Sequence, residues 1–144
     1  MSHTKPLHFL LVEDDEDHAN LVQMALADNR VANTVDHVLD GAAALCYVRR
    51  EAPYEDRGRP DVILLDLKLP KLDGHEVLAQ LKEDSDLRSI PVVVLTSSEA
   101  EADRAKAYLR HANSYLTKPL DFDRFHQMIQ DLKYYWSVWN QPPA

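Results

Sequence analysis

The chain has 144 residues, enough for one domain with a sizeable core, and its 45% hydrophobic residues include no unbroken apolar run of membrane-spanning length. A formal net charge of −8 argues against nonspecific DNA binding, and no helix-turn-helix pattern or basic stripe follows the last predicted strand. The apolar run near the start is too short for a signal peptide and meets acid directly, which predicts a cytoplasmic protein, and one cysteine, Cys46, cannot form an internal disulfide.

Taken in order, His8–Val12 reads as a first strand that stops at the acidic run Glu13–Asp17. Leu21, Met24 and Ala25 mark one face of a helix ending near Asn29, and Asn33–Leu39 gives a second strand with Val35 and Val38 apolar. Ala42–Arg50 is a second helix, in which Ala42, Leu45 and Val48 surround Cys46 as a reduced core or half-buried thiol. The loop after it, with Pro53, Gly58 and Pro60, reads as a surface insertion.

Val62, Ile63, Leu64 and Leu65 then run in succession, the pattern of a strand buried on both faces in a parallel sheet. Asp66 ends that strand, followed by a Leu-Pro turn and an Asp-Gly pair. His75–Lys82 is a helix with Val77, Leu78 and Leu81 inward, and Ile90–Thr96 is another wholly apolar strand ending in hydroxyl residues. A helix from Glu99 to about His111, a short strand Ser114–Thr117 and a final helix from about Asp121 complete the series. Strands alternating with helices predict a doubly wound α/β fold: a parallel sheet with right-handed crossovers and helices on both faces.

In such a fold the carboxyl ends of the strands share one edge, so Glu13, Asp14, Asp66, Thr96 and Lys118 converge although they are far apart in sequence. Ionised carboxylates within about 4 Å of each other cost on the order of 4 kcal/mol per pair at an effective dielectric of about 20, so the group calls for a cation or a raised pKa. A hard divalent ion such as Mg²⁺ suits it, because that ion takes oxygen ligands and shares them with phosphate. With Asp66 as nucleophile and Lys118 neutralising phosphoryl oxygens, the pocket suits phosphoryl chemistry.

The segments LLVEDDEDH, DVILLDLKLPKLDGHEVL, IPVVVLTSS and SYLTKP, in this order and spacing, resemble the receiver domain of two-component response regulators. The resemblance spans about residues 7 to 135 and implies a flavodoxin-like five-stranded sheet of order 2-1-3-4-5 flanked by five helices, in one domain over residues 1–144 with an aromatic extension at 136–144. It further implies that Asp66 is the phospho-acceptor, Asp14 a direct Mg²⁺ ligand, Glu13 an acidic partner acting through water and Lys68 a metal ligand through its backbone carbonyl. Thr96 would be the switch hydroxyl, Tyr115 the switch aromatic and Lys118 the phosphate-contacting ammonium, with a cis bond before Pro119. Lys68 and Ser98, each two residues beyond a key position, would tune water access to the acyl phosphate.

The wording of EDDEDH, DLKLPKLDGHEVL and VVVLTSSEAEAD is also similar to regulators that partner bacterial phytochromes, which implies a sensor histidine kinase of phytochrome type as partner. The implied activity is phospho-acceptance with self-catalysed transfer and autodephosphorylation, not enzymatic turnover; a phosphorylation-independent adaptor, or a relay intermediate with a downstream phosphotransfer protein, is the alternative. A haloacid dehalogenase-type phosphatase would need a second Asp two residues past the nucleophile, where this chain has Lys68, and a flavodoxin-like cofactor binder would need phosphate donors where Glu13–Asp17 would repel one.

At the carboxyl end, Phe122, Phe125, Met128, Ile129, Leu132, Tyr135, Trp136 and Trp139 follow helical spacing. The first part suits a helix closing the sheet. Tyr135, Trp136 and Trp139 exceed that need and predict a homodimer interface, since aromatics are enriched at interface hot spots; folding back over the domain's own edge, or docking on the kinase, is the alternative.

Overall fold

A computed structural model describes residues 7–27, 33–97, 101–119 and 121–136. Strands and helices alternate as β1 (Leu7–Val12), α1 (Glu16–Ala27), β2 (Asn33–Val38), α2 (Gly41–Val48), β3 (Val62–Leu65), α3 (Gly74–Glu83), β4 (Val92–Thr96), α4 (Glu101–Leu109), β5 (Ser114–Thr117) and α5 (Phe122–Tyr134). All strands pair in parallel in the order β2-β1-β3-β4-β5.

The central strands alternate their side chains between two cores. Leu10, Val12, Ile63, Leu65, Val92 and Val94 face one core, shared with α2, α3 and Ala107 of α4. Phe9, Leu11, Val62, Leu64, Val93 and Leu95 face the other, shared with α1 and α5. Every residue of β3 and β4 is buried, which is why these strands read as unbroken apolar runs.

Of the expected inward face of α1, Ala25 is buried and Leu21 packs against the α1–α5 core, but Met24 is 57% exposed; Ala19, Val22 and Leu26 complete the face. Small Ala19 and Ala25 let the helix approach α5, and the larger Met24 falls on the outer side; Asn29, the expected helix end, lies outside the described residues. On α5, Phe125, Ile129 and Leu132 are buried as expected, but Phe122 at the first turn is 51% exposed and stacks on His126. Lys133 takes the remaining inward position. It is fully buried, and its ammonium donates to the carbonyl oxygen of Leu26, so a cation from α5 satisfies the carboxyl end of α1, which has no basic residue of its own there.

The loop after α2 is pinned at several points. Arg57 bonds Asp36 of β2 at 3.2 Å, Tyr54 packs on Tyr47 with centroids 5.3 Å apart, and the Arg59 guanidinium bonds the Asp86 carbonyl at 2.9 Å and the Ser89 hydroxyl at 2.8 Å. Tyr47, almost fully buried, donates to Asp36 at 2.5 Å and meets His8 Nε2 at 2.6 Å; burial first, and then Asp36, push its phenol above the usual tyrosine range. Among the described residues the cis peptide bond is Ala52–Pro53, so the bond before Pro119 is trans, against expectation. Cys46 is a free, half-buried thiol on α2, as expected.

Candidate functional site

Glu13, Asp66 and Lys118 each continue a ladder one step beyond their strand, and Thr96 is the last residue of β4. The amide of Glu13 bonds the Val38 carbonyl at 3.1 Å, that of Asp66 the Val12 carbonyl at 3.1 Å, and that of Lys118 the Thr96 carbonyl at 2.8 Å. Parallel pairing therefore aligns the ends of β1, β3, β4 and β5 on one edge, and backbone bonds fix the root of every side chain.

Glu13, Asp66, Thr96 and Lys118 are all buried, whereas Asp14 points to solvent. Carboxylate oxygens of Glu13, Asp14 and Asp66 lie within 4.8 Å of one another. The Lys118 ammonium donates to Glu13 Oε1 and reaches Asp66 Oδ2 at 3.4 Å. Asp66 Oδ1 also accepts the backbone N–H of Lys68 at 3.2 Å, which ties the exposed Lys68 to the acceptor.

Glycine is required just behind Asp66. A Cβ on Gly74 would stand 2.4 Å from the Asp66 carbonyl oxygen and 2.5 Å from Leu67 Cα, so only glycine lets the start of α3 press against the segment that carries Asp66.

Burial pushes the Glu13 carboxyl up to about 7; neighbouring Asp66 adds to the rise, and Lys118 opposes it. One ammonium thus leaves negative charge in the pocket uncompensated. The donor set is carboxylate oxygen only, with Asp14 accessible from outside, which fits a hard divalent cation.

Thr96 and Tyr115 fall on the face toward α3 and α4. Thr96 is fully buried at the end of β4, and half-buried Tyr115 packs on that core beside Val94. Ser98 lies outside the described residues, as does Trp139. Tyr135 is 51% exposed beyond α5, whereas half-buried Trp136 packs against the α1–α5 core.

Two histidines belong to this neighbourhood that sequence reasoning did not single out. His18 Nδ1 stands 3.1 Å from the Lys118 ammonium, and His37 Nε2 lies 2.7 Å from the Glu13 carbonyl oxygen. The available signal was positional: His18 immediately follows the acidic run, and His37 falls one residue before the end of the neighbouring strand.

A doubly wound parallel sheet bearing a buried carboxylate cluster and a lysine at its carboxyl edge defines a phosphoryl- or cation-handling α/β domain. The chain belongs to the response regulator receiver domain family, which it matches over residues 9–130. It is 46% identical over 141 residues to the probable methanogenesis regulatory protein FilR2 of Methanothrix harundinacea, covering 96% of this chain and 89% of that one. It is 44% identical over 135 residues to response regulator Rcp1 of Synechocystis sp., covering 91% and 89% of the two chains. Its structure superposes on that of the phosphorylated cyanobacterial phytochrome response regulator RcpA with a TM-score of 0.93 at 41% identity, covering 97% of this chain and 100% of that one. A Mn²⁺-bound form of Rcp1 gives a TM-score of 0.92 at 41% identity, covering 96% and 100%.

Proposed function

We propose that this receiver takes a phosphoryl group from a sensor histidine kinase of phytochrome type onto Asp66. The observation that carries the residue assignment is the buried Asp66 carboxylate, held at the end of β3 by the Lys68 amide and facing Lys118 within an all-oxygen acidic cluster. In the transfer, an oxygen of Asp66 forms the new P–O bond, the P–N bond of the donor phosphohistidine breaks, and the donor imidazole leaves with a proton from solvent.

A divalent ion, Mg²⁺ in the cell, would be held by Asp14, Asp66, the Lys68 carbonyl and, through water, Glu13. Bound there, it would neutralise phosphoryl oxygens. Lys118 supplies the protein's own positive charge to the same oxygens. Thr96 contacts the phosphoryl group and Tyr115 responds to it, two packings of one pocket that bias the α4–β5–α5 face. Likeness to RcpA and Rcp1 supports the phytochrome-type kinase.

The test is phosphorylation by acetyl phosphate and by candidate kinases, read on Phos-tag gels. A shifted band that depends on divalent ion is expected for the wild type, and none for Asp66→Asn; an undiminished band in the variant would sink the assignment.

The face that receives the signal is the homodimer interface in this reading. A groove of about 680 Å³ runs between the outer edge of β5 and α5, floored by Leu116, Met128 and Leu132 and bordered by Tyr135 and Trp136. Its apolar lining and the exposed Tyr134 and Tyr135 suit a second copy of the chain. Light scattering at tens of micromolar should report a dimer, and a monomer with and without beryllofluoride would rule it out.

A further inference from the structure

Lys118 is a buried cation with three N–H bonds to place, and three acceptors surround it. Glu13 Oε1 is the nearest, His18 Nδ1 stands at 3.1 Å, and Asp66 Oδ2 is the most distant at 3.4 Å. Because an ammonium only donates, His18 must offer Nδ1 as an acceptor and carry its ring proton on Nε2.

The His18 backbone and ring are each held in place. Its backbone amide donates to Asp15 Oδ1 at 3.2 Å, which anchors the first turn of α1, and its imidazole lies against buried Phe125 of α5 with centroids 6.2 Å apart. Asp15 Oδ2 is 3.9 Å from Nδ1, and 39% of the side chain remains exposed at the mouth of the pocket.

From this arrangement we infer that His18 is a positioning residue for phosphorylation: its neutral Nδ1 takes one N–H of Lys118 and thereby aims another at Asp66. The inference rests on the reading of Asp66 as acceptor. Without His18 the ammonium is free to rotate and slide toward Glu13, its strongest partner and the one farther from the chemistry. A neutral acceptor suits the task, because it orients the cation yet releases it when a phosphoryl group, with more charge, appears on Asp66. A carboxylate in its place would compete for the cation.

The test measures the rate of Asp66 phosphorylation by acetyl phosphate at saturating donor and Mg²⁺, in which acetate leaves as the P–O bond to Asp66 forms. His18→Ala should be about tenfold slower, the worth of one orienting hydrogen bond to a charge, while Mn²⁺ affinity by calorimetry stays within about twofold. His18→Asn places an amide oxygen close to where Nδ1 sits and should recover the rate to within about threefold of wild type. His18→Asp should be slow again, because its carboxylate competes for the ammonium. Recovery with Asn and its loss with Asp separate aiming of the cation from mere support of the fold. A wild-type rate in His18→Ala, an Asn variant as slow as the Ala variant, or a defect confined to Mn²⁺ affinity would overturn the inference. Undiminished labelling of Asp66→Asn would overturn the Asp66 reading itself, whatever the His18 variants do, which tells the two failures apart.

Discussion

On the α1–α5 face of the sheet, the buried cation Lys133 runs from one helix to the carbonyl of Leu26 on the other, and that carbonyl also accepts the Asn33 side-chain amide at 2.7 Å. On the α3–α4 face, buried His75 reaches Asp103 at 3.2 Å through Nε2, while its Nδ1 has no hydrogen-bond partner, alone in this among buried side-chain atoms of the described residues. Both faces bury a titratable side chain between helices. One interface is closed by a cation and an amide that together bond the end of a helix; the other is left one hydrogen bond short, and it is the face toward which Thr96 and Tyr115 lie. The difference teaches where rearrangement is inexpensive: a packing that already leaves a polar atom unpaired loses less by shifting than one whose polar groups are satisfied.

The largest expected effect tests the tighter side. Lys133→Ala removes a fully buried stem and the ammonium that satisfies Leu26, and should lower the free energy of unfolding by about 3 kcal/mol in urea titrations. A loss below about 1 kcal/mol would mean that the cation does not close this interface. The smaller effect lies opposite. His75→Leu gives up one hydrogen bond to half-exposed Asp103 and removes the unpaired Nδ1, so stability should change by no more than about 1 kcal/mol. Hydrogen exchange should nevertheless quicken in α4 more than in α1, and equal protection of both helices would erase the contrast between the faces.

Much of this was legible in the sequence, for reasons particular to each element. β3 and β4 announced themselves because strands covered on both faces need unbroken apolar runs, and Asp66 and Thr96 followed from where those runs stop, with Lys118 at the end of the short, half-buried β5. The site is built from strand ends, and strand ends are the part of this fold that hydrophobic pattern marks best. Of the expected inner face of α1 only Met24 falls outside, because it outweighs Ala19 in apolar size whereas close approach to α5 selects the small residue. Lys133 was beyond reach for a different cause: its partner lies 107 residues away, and nothing local distinguishes a lysine that caps a distant helix from one that faces water. His18 sat in plain view inside the quoted motif. Its role becomes visible only when β5 brings Lys118 beside it from 100 residues further on.

The aromatic end of α5 also determines what the protein's own fluorescence can report. The chain has two tryptophans, Trp136 and Trp139, and both follow α5 in sequence. Trp136 is half-buried on the α1–α5 core and meets the ring of Tyr135 edge-on, with centroids 5.3 Å apart and planes at 89°. A helix of 13 residues, about 20 Å of rise, separates that emitter from the turn that follows Lys118. Emission from Trp136 is therefore blind to occupancy of the acidic pocket as such and responds to the environment at the far end of α5. A spectral change on adding Mg²⁺ and beryllofluoride would be a measure of transmission rather than of binding, and the same titration read by calorimetry would give occupancy alone, so the two curves laid over each other would resolve ligation from its distant consequence.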